Sequence, residues 1–372
     1  MRVKLEEVCH INMGQSPSSS TYNEKGMGLP FFQGNADFGE LHPSVRVWCS
    51  SPTKTANVGD ILISVRAPIG AMNIADCSCC IGRGLAALTV DYKKIETKYL
   101  WYYLNYNNEE LKAKGTGSTF KAINRKALEE TEIPLPPLPE QRRIAAVLDK
   151  VSELIALRKR QLDLLDEMVK ARFVEMFGDP VRNEKGFSMI ALSDLGSLDR
   201  GRSKHRPRND PKLLNGPYPL IQTGEVTSAG LYINEYHNTY SELGLQQSKM
   251  WKAGTLCITI AANIAQTSIL SFDACFPDSV VGFIPSSDVT SLYIHFWFSF
   301  FQKILEEQAP QVAQKNINLK ILSELMVMVP PIELQNQFAD FVQQVDKSKA
   351  AVQQGLDRLN LLKSALMQEY FG

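Results

Sequence analysis

The sequence predicts an α+β protein in which a globular domain followed by a long helix occurs twice. The first observation is an internal repeat: Pro330 lies 194 positions after Pro136, and the same shift matches Gln141 with Gln335. The second is that each copy begins with short β-rich runs interrupted by Gly, Pro and Asn. The third is a heptad pattern of apolar residues that closes each copy. A repeat unit of this length indicates a duplicated domain rather than a solenoid, so we expect a pseudo-twofold molecule.

The two predicted globular domains span residues 1–135 and 179–329. In the first, β-rich runs are predicted at residues 29–32, 60–65 and 81–90, followed by a helix at residues 98–111. In the second, the corresponding runs are predicted at residues 218–222, 255–260 and 280–284, followed by a helix at residues 291–307. Between these shared strands and helices, the sequences of the two copies differ freely. A common scaffold with divergent loops suggests that each domain binds something different.

The two predicted long helices span residues 136–178 and 330–372, and each begins after a Pro-Pro pair. Apolar residues step alternately by four and three positions along both, as in a coiled coil. Packed antiparallel, the second helix would return the chain to the first domain. A homodimeric coiled coil is the alternative, but covalent duplication favours pairing within one chain. The predicted seam consists of Leu148, Val151, Ile155, Leu162, Leu165, Val345, Val352, Leu356 and Leu359.

Composition limits the classes of partner. The formal net charge is +0 and the pI is about 7.0, so any basic surface must be local. The 7 cysteines, an odd number scattered through a large chain, indicate reduced thiols and a cytoplasmic protein. The most apolar stretch, residues 292–301, is about half a bilayer span and is predicted to be a buried helix rather than a membrane segment.

The sequence contains no recognisable catalytic motif, and we predict no catalytic residue, metal or cofactor. Neither an amino-methyltransferase Asn/Asp-Pro-Pro-aromatic motif nor a Walker phosphate loop occurs. Asp91 and Asp210 are the nearest approach to a nuclease Asp-x-Lys motif, and we interpret them as surface charge. Cys77, Cys79 and Cys80 lack the usual zinc-ligand spacing, and packing at the end of a strand is the preferred interpretation.

The strongest charge feature is RGRSKHRPR at residues 200–208, a basic turn without an internal acid. Such a cluster can neutralise phosphates, and arginine can also read guanine edges. A solvated loop is the alternative. The counterpart in the first domain, GQSPSSS at residues 14–20, is polar but uncharged. The candidate DNA-binding residues of the basic turn are Arg202, Lys204, Arg206 and Arg208.

Further candidates lie in polar loops after the predicted strands. Side chains with amide or guanidinium groups suit hydrogen bonding to base edges, and the repeat aligns two lysines that we expect to contact phosphates. The additional candidate DNA-binding residues are Gln33, Asn35, Arg66, Lys121, Gln222, Thr223, Asn263, Gln266 and Lys315.

The whole chain resembles the specificity (S) subunit of Type I restriction-modification systems. The resemblance is carried by IPLPPLPEQ (residues 133–141) and MFGDP (residues 176–180), with degenerate copies VPPIELQ (residues 329–335) and YFG (residues 370–372). RAPIG at residues 66–70 resembles a loop common in the target-recognition domains of this family. The second copy replaces Pro139-Glu140 by Glu333-Leu334 and has no RAPIG loop.

The resemblance implies that each globular domain is a target-recognition domain that reads a short half-site in double-stranded DNA. The long helices would fix the spacer between the half-sites and dock two methyltransferase (M) subunits, which supply S-adenosylmethionine and the adenine-flipping active site. With two restriction (R) subunits, the assembly would add ATP-dependent translocation and cleavage. The chain itself would be non-catalytic. Two rival interpretations are a protein-interaction scaffold that does not bind DNA and a metal-dependent nuclease.

Overall fold

The computed structural model describes residues 1–116, 121–261, 264–301, 304 and 317–372. These residues form two compact units: unit 1 contains Met1–Lys159 and Gln354–Gly372, and unit 2 contains Arg160–Gln353. Each unit therefore combines one globular region with the first part of one long helix and the last part of the other. The predicted mixture of sheets and helices in two repeated copies is confirmed.

Unit 1 is built on sheets that are mainly antiparallel, with Leu29–Phe32 parallel to Cys79–Ile81. Its described strands are Arg2–Lys4, Cys9–Met13, Tyr22–Asn23, Leu29–Phe32, Trp48–Cys49, Thr55–Ala56, Ile61–Ser64, Met72–Ile74, Cys79–Ile81, Leu85–Val90 and Glu132–Pro134. Its short α-helices are Thr97–Tyr106, Asn108–Ala113 and Arg125–Glu129.

The centre of unit 1 is the strand Leu85–Val90, which pairs with Cys9–Met13 on one side and Ile61–Ser64 on the other. Almost all of its side chains are buried, because both faces of the sheet are covered. Ala86 and Leu88 pack into the core formed with the helices, whereas Leu85 and Ala87 pack into a second, smaller core. A strand covered on both faces shows a continuous apolar run instead of an alternating one.

Unit 2 repeats this plan. Its described strands are Ser188–Ala191, Gly196–Arg200, Leu214–Leu220, Tyr232–Ile233, Asn238–Tyr240, Met250–Trp251, Leu256–Thr259, Thr267–Leu270, Ala274–Cys275, Val280–Pro285 and Met326–Val329. Its short α-helices include Thr223–Ser228, Glu242–Gln246, Ser291–Phe298 and Leu319–Glu324. The central strand Val280–Pro285 pairs with Gly196–Arg200 and Leu256–Thr259, as its counterpart does in unit 1.

The first long helix is Leu138–Phe177 and the second is Ile332–Phe371, each 40 residues and therefore about 60 Å long. Within each unit their segments pack antiparallel. In unit 1 the Arg143 guanidinium lies over the Tyr370 ring, 5.6 Å from its centroid. In unit 2 the Lys349 ammonium lies 2.6 Å from a carboxylate oxygen of Asp166.

Both helices end on a buried phenylalanine. Phe371 packs on Tyr99 in unit 1, with ring centroids 5.5 Å apart, and Phe177 packs on Tyr293 in unit 2 at 5.1 Å. The shift of 194 positions that relates the two phenylalanines also relates the two tyrosines. The end of the second helix therefore belongs to unit 1, as the antiparallel arrangement predicted, and the end of the first belongs to unit 2.

The predicted seam residues are all at least half-buried. Leu148, Val151, Ile155, Val345, Val352 and Leu356 are buried, and Leu162, Leu165 and Leu359 are half-buried. Two basic residues of the long helices, Arg172 and Lys363, have partners beside the seam. Arg172 bonds Glu175 at 2.9 Å, and Lys363 lies over the Tyr102 ring at 5.9 Å. Pairing of the whole seam within one chain stays a prediction, as do the domain boundaries at residues 135, 178 and 329.

Candidate nucleic-acid interface

Three loops of unit 1 meet beyond the ends of its central strands. The Val65 N–H donates to the Gly84 carbonyl at 2.9 Å, so the RAPIG loop starts beside the turn at residues 82–84. The Gly82 N–H in turn donates to the Phe32 carbonyl at 2.8 Å, which brings that turn against Gln33. The two loops that the sequence predicted separately thus form one surface, together with the turn at residues 82–84, which lies inside the run predicted as β.

These loops enclose a cleft of about 220 Å³. Predicted residues Gln33, Asn35 and Arg66 all line it, together with Arg83, which the sequence analysis did not select. Gly84 makes this approach possible, because a Cβ atom at that position would lie 2.3 Å from the Gln33 carbonyl oxygen. The cleft therefore combines amide groups with two guanidinium groups.

The cations of this cleft are available for a ligand. Among the described residues, no carboxylate lies within ion-pair distance of Arg66 or Arg83. The nearby Asp37 is already engaged: it accepts a hydrogen bond from the Gln33 N–H at 2.8 Å and pairs with Arg46. Asp37 therefore holds the loop of Gln33 without neutralising the arginines of the cleft.

Lys121 is exposed, and the two residues that follow it contact Val65 and Arg66 of the same loop cluster. Ala122 forms a β-bridge with Arg66, and the Ile123 N–H donates to the Val65 carbonyl at 2.9 Å. The short helix Arg125–Glu129 follows, and the Asn124 side chain caps it by accepting from the Ala127 N–H at 2.9 Å. The placement is compatible with the predicted phosphate contact, which stays a prediction.

The basic turn of unit 2 is held by the turn at residues 277–279. The Arg202 N–H donates to the Phe276 carbonyl at 3.1 Å. Asp278 gathers three arginines: Arg200 Nε donates to its backbone carbonyl at 3.0 Å, Arg206 lies 3.7 Å from its carboxylate, and Arg208 pairs with the same carboxylate. The turn that contains no acid of its own is thus ion-paired by an acid 70 positions further along the chain.

A second acid organises the other side of this turn. Asp210 lies 3.1 Å from the His205 ring. The backbone N–H of Lys212 and the His205 ring hold the pKa of Asp210 below its usual range. Arg202 and Lys204 are exposed, and the described part of the chain places no carboxylate within ion-pair distance of either. Together with Arg200, which bonds only the backbone carbonyl of Asp278, they are the cations of the turn that no described carboxylate neutralises.

A cleft of about 380 Å³ opens beside the basic turn and brings Arg208 together with Gln222 and Thr223. Asn238 and Tyr240 also line it, and the sequence analysis did not select them. Gln266 does not line this cleft. It lies in the loop that follows Thr259 and faces a separate cavity of about 560 Å³ in unit 2. Of the remaining predicted residues, Asn263 and Lys315 lie outside the described residues.

The cysteines and isolated acids show structural roles. Cys79 and Cys80 are buried on opposite faces of one strand, so their thiols point into different cores. Burial raises the pKa of Cys79 to about 12 and that of Cys80 to about 11. Asp91 accepts from the Lys93 N–H at 3.1 Å within a turn. Within the described ranges, no group of three or more His, Cys, Asp or Glu residues could hold a metal ion.

The profile of one protein family, Type I restriction modification DNA specificity domain, matches residues 1–167 and 184–361. The match is in two parts, one for each copy of the repeat, and covers most of the chain. The chain therefore belongs to this family, and the resemblance seen in the sequence is confirmed.

Individual relatives agree with this assignment. The chain is 43% identical over 165 residues to a protein of Methanocaldococcus jannaschii described as the type I restriction enzyme MjaX specificity subunit, covering 44% of this chain and 39% of the relative. It is 21% identical over 416 residues to the type I restriction enzyme EcoBI specificity subunit of Escherichia coli, covering 100% of this chain and 85% of the relative. The alignment with the first of these relatives thus spans well under two thirds of that protein's length.

A solved structure shows the same fold. The crystal structure of a Type-I restriction-modification system S subunit from M. genitalium matches with a TM-score of 0.61 and 15% identity, covering 100% of this chain and 96% of that one. No described helix of the chain is both long enough and apolar enough to cross a membrane.

Proposed function

We propose that this chain is the DNA-reading subunit of a Type I restriction-modification complex, with each unit recognising one half of an asymmetric, bipartite site in double-stranded DNA. The chain reads the sequence and supplies no catalysis. Methyltransferase subunits bind the long helices and modify adenine, and restriction subunits, where they join, cleave the DNA. The free thiols suit action on DNA in the reducing cytoplasm.

One observation carries this proposal: on the same scaffold, the clefts of the two units take their arginines from different loops. In unit 1, Gln33 shares the cleft with Arg66 of the RAPIG loop and with Arg83, whereas in unit 2 Gln222 shares the cleft with Arg208 of the basic turn. Amide and guanidinium groups hydrogen-bond base edges and phosphates. Because the surrounding residues differ between the two clefts, two identical half-sites would not be expected.

The net charge of +0 supports a mode of binding in which this chain and its partner subunits both contact the DNA. A protein that binds DNA alone gains most of its affinity from neutralised phosphates. The candidate DNA-binding arginines lie at the two clefts and in the basic turn, so they can orient the chain on DNA and leave much of the phosphate contact to partner subunits.

The long helices offer apolar surface for those partners. Leu157 and Leu361 in unit 1 are 61% and 72% exposed, and Leu164 in unit 2 is 49% exposed. Exposed leucines beside a buried seam are typical of a helix that packs on more than one neighbour. We propose that methyltransferase subunits cover these side chains and that the seam residues fix the length of the spacer.

The test is to co-express the chain with the methyltransferase subunit encoded beside it and to map methylated adenines across the host genome. A split, asymmetric motif with a fixed gap would support the proposal. Exchanging residues 179–329 for those of a related chain should then change one half of the motif and leave the other intact. A stable complex that adds no methylation would contradict the proposal and favour a scaffold.

Replacing the two arginines of the unit 1 cleft should weaken recognition of one half-site. Arg66→Ala and Arg83→Ala each remove a cation without a described carboxylate partner, so the folded state loses little while the bound state loses a charged contact. We expect each to weaken binding of the methyltransferase complex to its duplex by about 1–3 kcal/mol, roughly 5- to 150-fold. Titration of a labelled duplex measures this.

The matched control is Arg125→Ala, which removes an exposed arginine of unit 1 that already pairs with Glu129 at 2.7 Å. It should change affinity less than about threefold, as expected for an exposed cation that a carboxylate already neutralises. If Arg66→Ala and Arg83→Ala behave like this control, the unit 1 cleft is not the recognition surface.

A further inference from the structure

The turn before the central strand occupies equivalent positions in the two units. In unit 1 the Gln15 N–H donates to the Ile81 carbonyl at 3.0 Å, and in unit 2 the Arg202 N–H donates to the Phe276 carbonyl at 3.1 Å. On the other side of the turn, Val65 donates to Gly84 at 2.9 Å, as Ile260 donates to Ser279 at 3.1 Å. Ile81 and Phe276 differ by 195 positions, and so do Gly84 and Ser279.

This equivalence aligns Arg83 of unit 1 with Asp278 of unit 2. The same turn thus presents a cation in one unit and an anion in the other. The loop that this turn contacts also differs in charge between the units: residues 14–20 are uncharged in unit 1, whereas residues 200–208 are basic in unit 2. Arg83 holds the uncharged loop through its backbone, its N–H donating to Ser16 Oγ at 3.2 Å. Asp278 holds the basic loop through its side chain.

The contact between the basic loop and this turn is close. A Cβ atom on Gly201 would lie 2.3 Å from the Phe276 carbonyl oxygen, so the loop begins in direct contact with the segment that leads to Asp278. The carboxylate of Asp278 then pairs with Arg206 and Arg208, while Arg208 lines the cleft with Gln222. About half of each arginine side chain remains exposed.

A carboxylate on a DNA-facing loop repels phosphate, so its presence needs a compensating effect. A guanidinium reads a guanine edge through two parallel hydrogen bonds, which requires a fixed plane. Long arginine side chains otherwise lose considerable rotamer entropy on binding. A carboxylate that already restricts two arginines can reduce that loss and also favour one orientation of the planar group.

We infer that Asp278 is a positioning residue for base readout by unit 2: its carboxylate orients Arg206 and Arg208, the second of which lines the cleft, whereas the equivalent Arg83 of unit 1 offers its own cation to DNA. The inference rests on the proposed function. It adds that Asp278 is a residue on which the sequence specificity of unit 2 depends. Asp278 controls discrimination between sequences, and its contribution to overall affinity is small or unfavourable.

The experiment uses the complex of this chain with its methyltransferase subunits and two duplexes, one carrying the methylated motif and one with the half-site of unit 2 scrambled. Absence of any motif for the unaltered chain would refute the proposed function and this inference together. With a motif in hand, the ratio of the two affinities is measured for Asp278→Asn. We expect that ratio to fall at least about tenfold, with binding to the scrambled duplex unchanged or tighter.

Three variants sharpen the result. Asp278→Glu should restore most of the discrimination, because it keeps a carboxylate in reach. Asp273→Asn is the matched control: it removes a carboxylate that pairs with Lys252 at 2.7 Å elsewhere in unit 2, and it should leave the ratio within about twofold. In a chain that already carries Arg206→Gln and Arg208→Gln, adding Asp278→Asn should change the ratio no further.

Two outcomes would overturn the inference. Asp278→Asn could tighten binding to both duplexes equally and leave their ratio unchanged, which would mean that Asp278 only screens charge. Alternatively, Asp278→Asn could still lower the ratio in the chain without Arg206 and Arg208, which would mean that Asp278 acts through other residues. Thermal unfolding of each variant shows whether it is folded, so that a change in affinity is not confused with a loss of folded protein.

Discussion

Phe371→Ala is expected to destabilise unit 1 by about 3–5 kcal/mol, although residue 371 lies more than 200 positions from the globular region of that unit. Its ring is 6% exposed and lies within 6.0 Å, centroid to centroid, of Tyr99, Tyr103 and Tyr106. Removing it leaves a cavity lined by aromatic side chains that the long helix cannot refill. Hydrogen exchange should show faster exchange in the helix Thr97–Tyr106.

The equivalent substitution on the first long helix, Phe177→Ala, should destabilise the other unit. Phe177→Ala removes a ring with 0% exposure that packs on Phe173, Tyr293 and Phe338. We expect a similar loss of stability in unit 2, seen as faster exchange in Ser291–Phe298, with Thr97–Tyr106 unaffected. If Phe371→Ala instead loosened unit 2 and spared unit 1, the assignment of the helix ends would be wrong.

Leu361→Ala is the matched control for both substitutions. Leu361 lies on the second long helix in unit 1 and is 72% exposed, so its truncation should change the free energy of unfolding by less than about 0.5 kcal/mol. Leu361 and Phe371 are both large apolar residues of the second long helix, but Phe371 is buried and Leu361 is exposed. The comparison therefore measures packing and excludes a general effect of shortening a side chain on this helix.

The architecture could be predicted from the sequence because its main signals are local or repeated. The strand Leu29–Phe32 was predicted with its observed bounds, and both long helices begin within two residues of the predicted positions. The run predicted at residues 81–90 is two strands, Cys79–Ile81 and Leu85–Val90, because the glycine-flanked turn at residues 82–84 interrupts a continuous apolar pattern. The signal for this break was the Gly-Arg-Gly sequence itself, which is typical of a turn.

The candidate sites were predicted less completely, for a different reason. Gln33, Asn35 and Arg66 do meet in one cleft, since each follows a strand end that the sequence reveals. Arg83 and Asp278 were missed because they act through neighbours distant in sequence, and neither stands in a charged cluster. The repeat could have aligned them, but here its register is 195 positions, one more than the shift that the helices follow. A single inserted residue was enough to hide the relation.

Gln141→Leu and Gln335→Leu should each remove about 1–3 kcal/mol for every buried backbone group left unpaired. Gln141 Nε2 donates to the carbonyls of Lys94 at 3.0 Å and Pro136 at 2.8 Å, while its Oε1 accepts from the Glu96 N–H at 2.9 Å. Gln335 makes the same set of bonds with Asp288, Pro330 and Thr290, at 2.9, 2.9 and 3.0 Å. Both side chains are 0% exposed, so water cannot replace these bonds.

Gln337→Leu tests whether the effect belongs to the buried amide, because Gln337 is exposed two positions further along the same helix. Denaturant unfolding should place this control within about 0.5 kcal/mol of the unaltered chain. Equal stability of Gln335→Leu and Gln337→Leu would refute the role we assign. Gln141 thus joins the start of the first long helix to the loop that leads into Thr97–Tyr106. Gln335 joins the start of the second to the loop that leads into Ser291–Phe298. Both copies of the repeat make these bonds although their loops differ in sequence, so the start of the long helix is fixed to its domain in the same way in each unit.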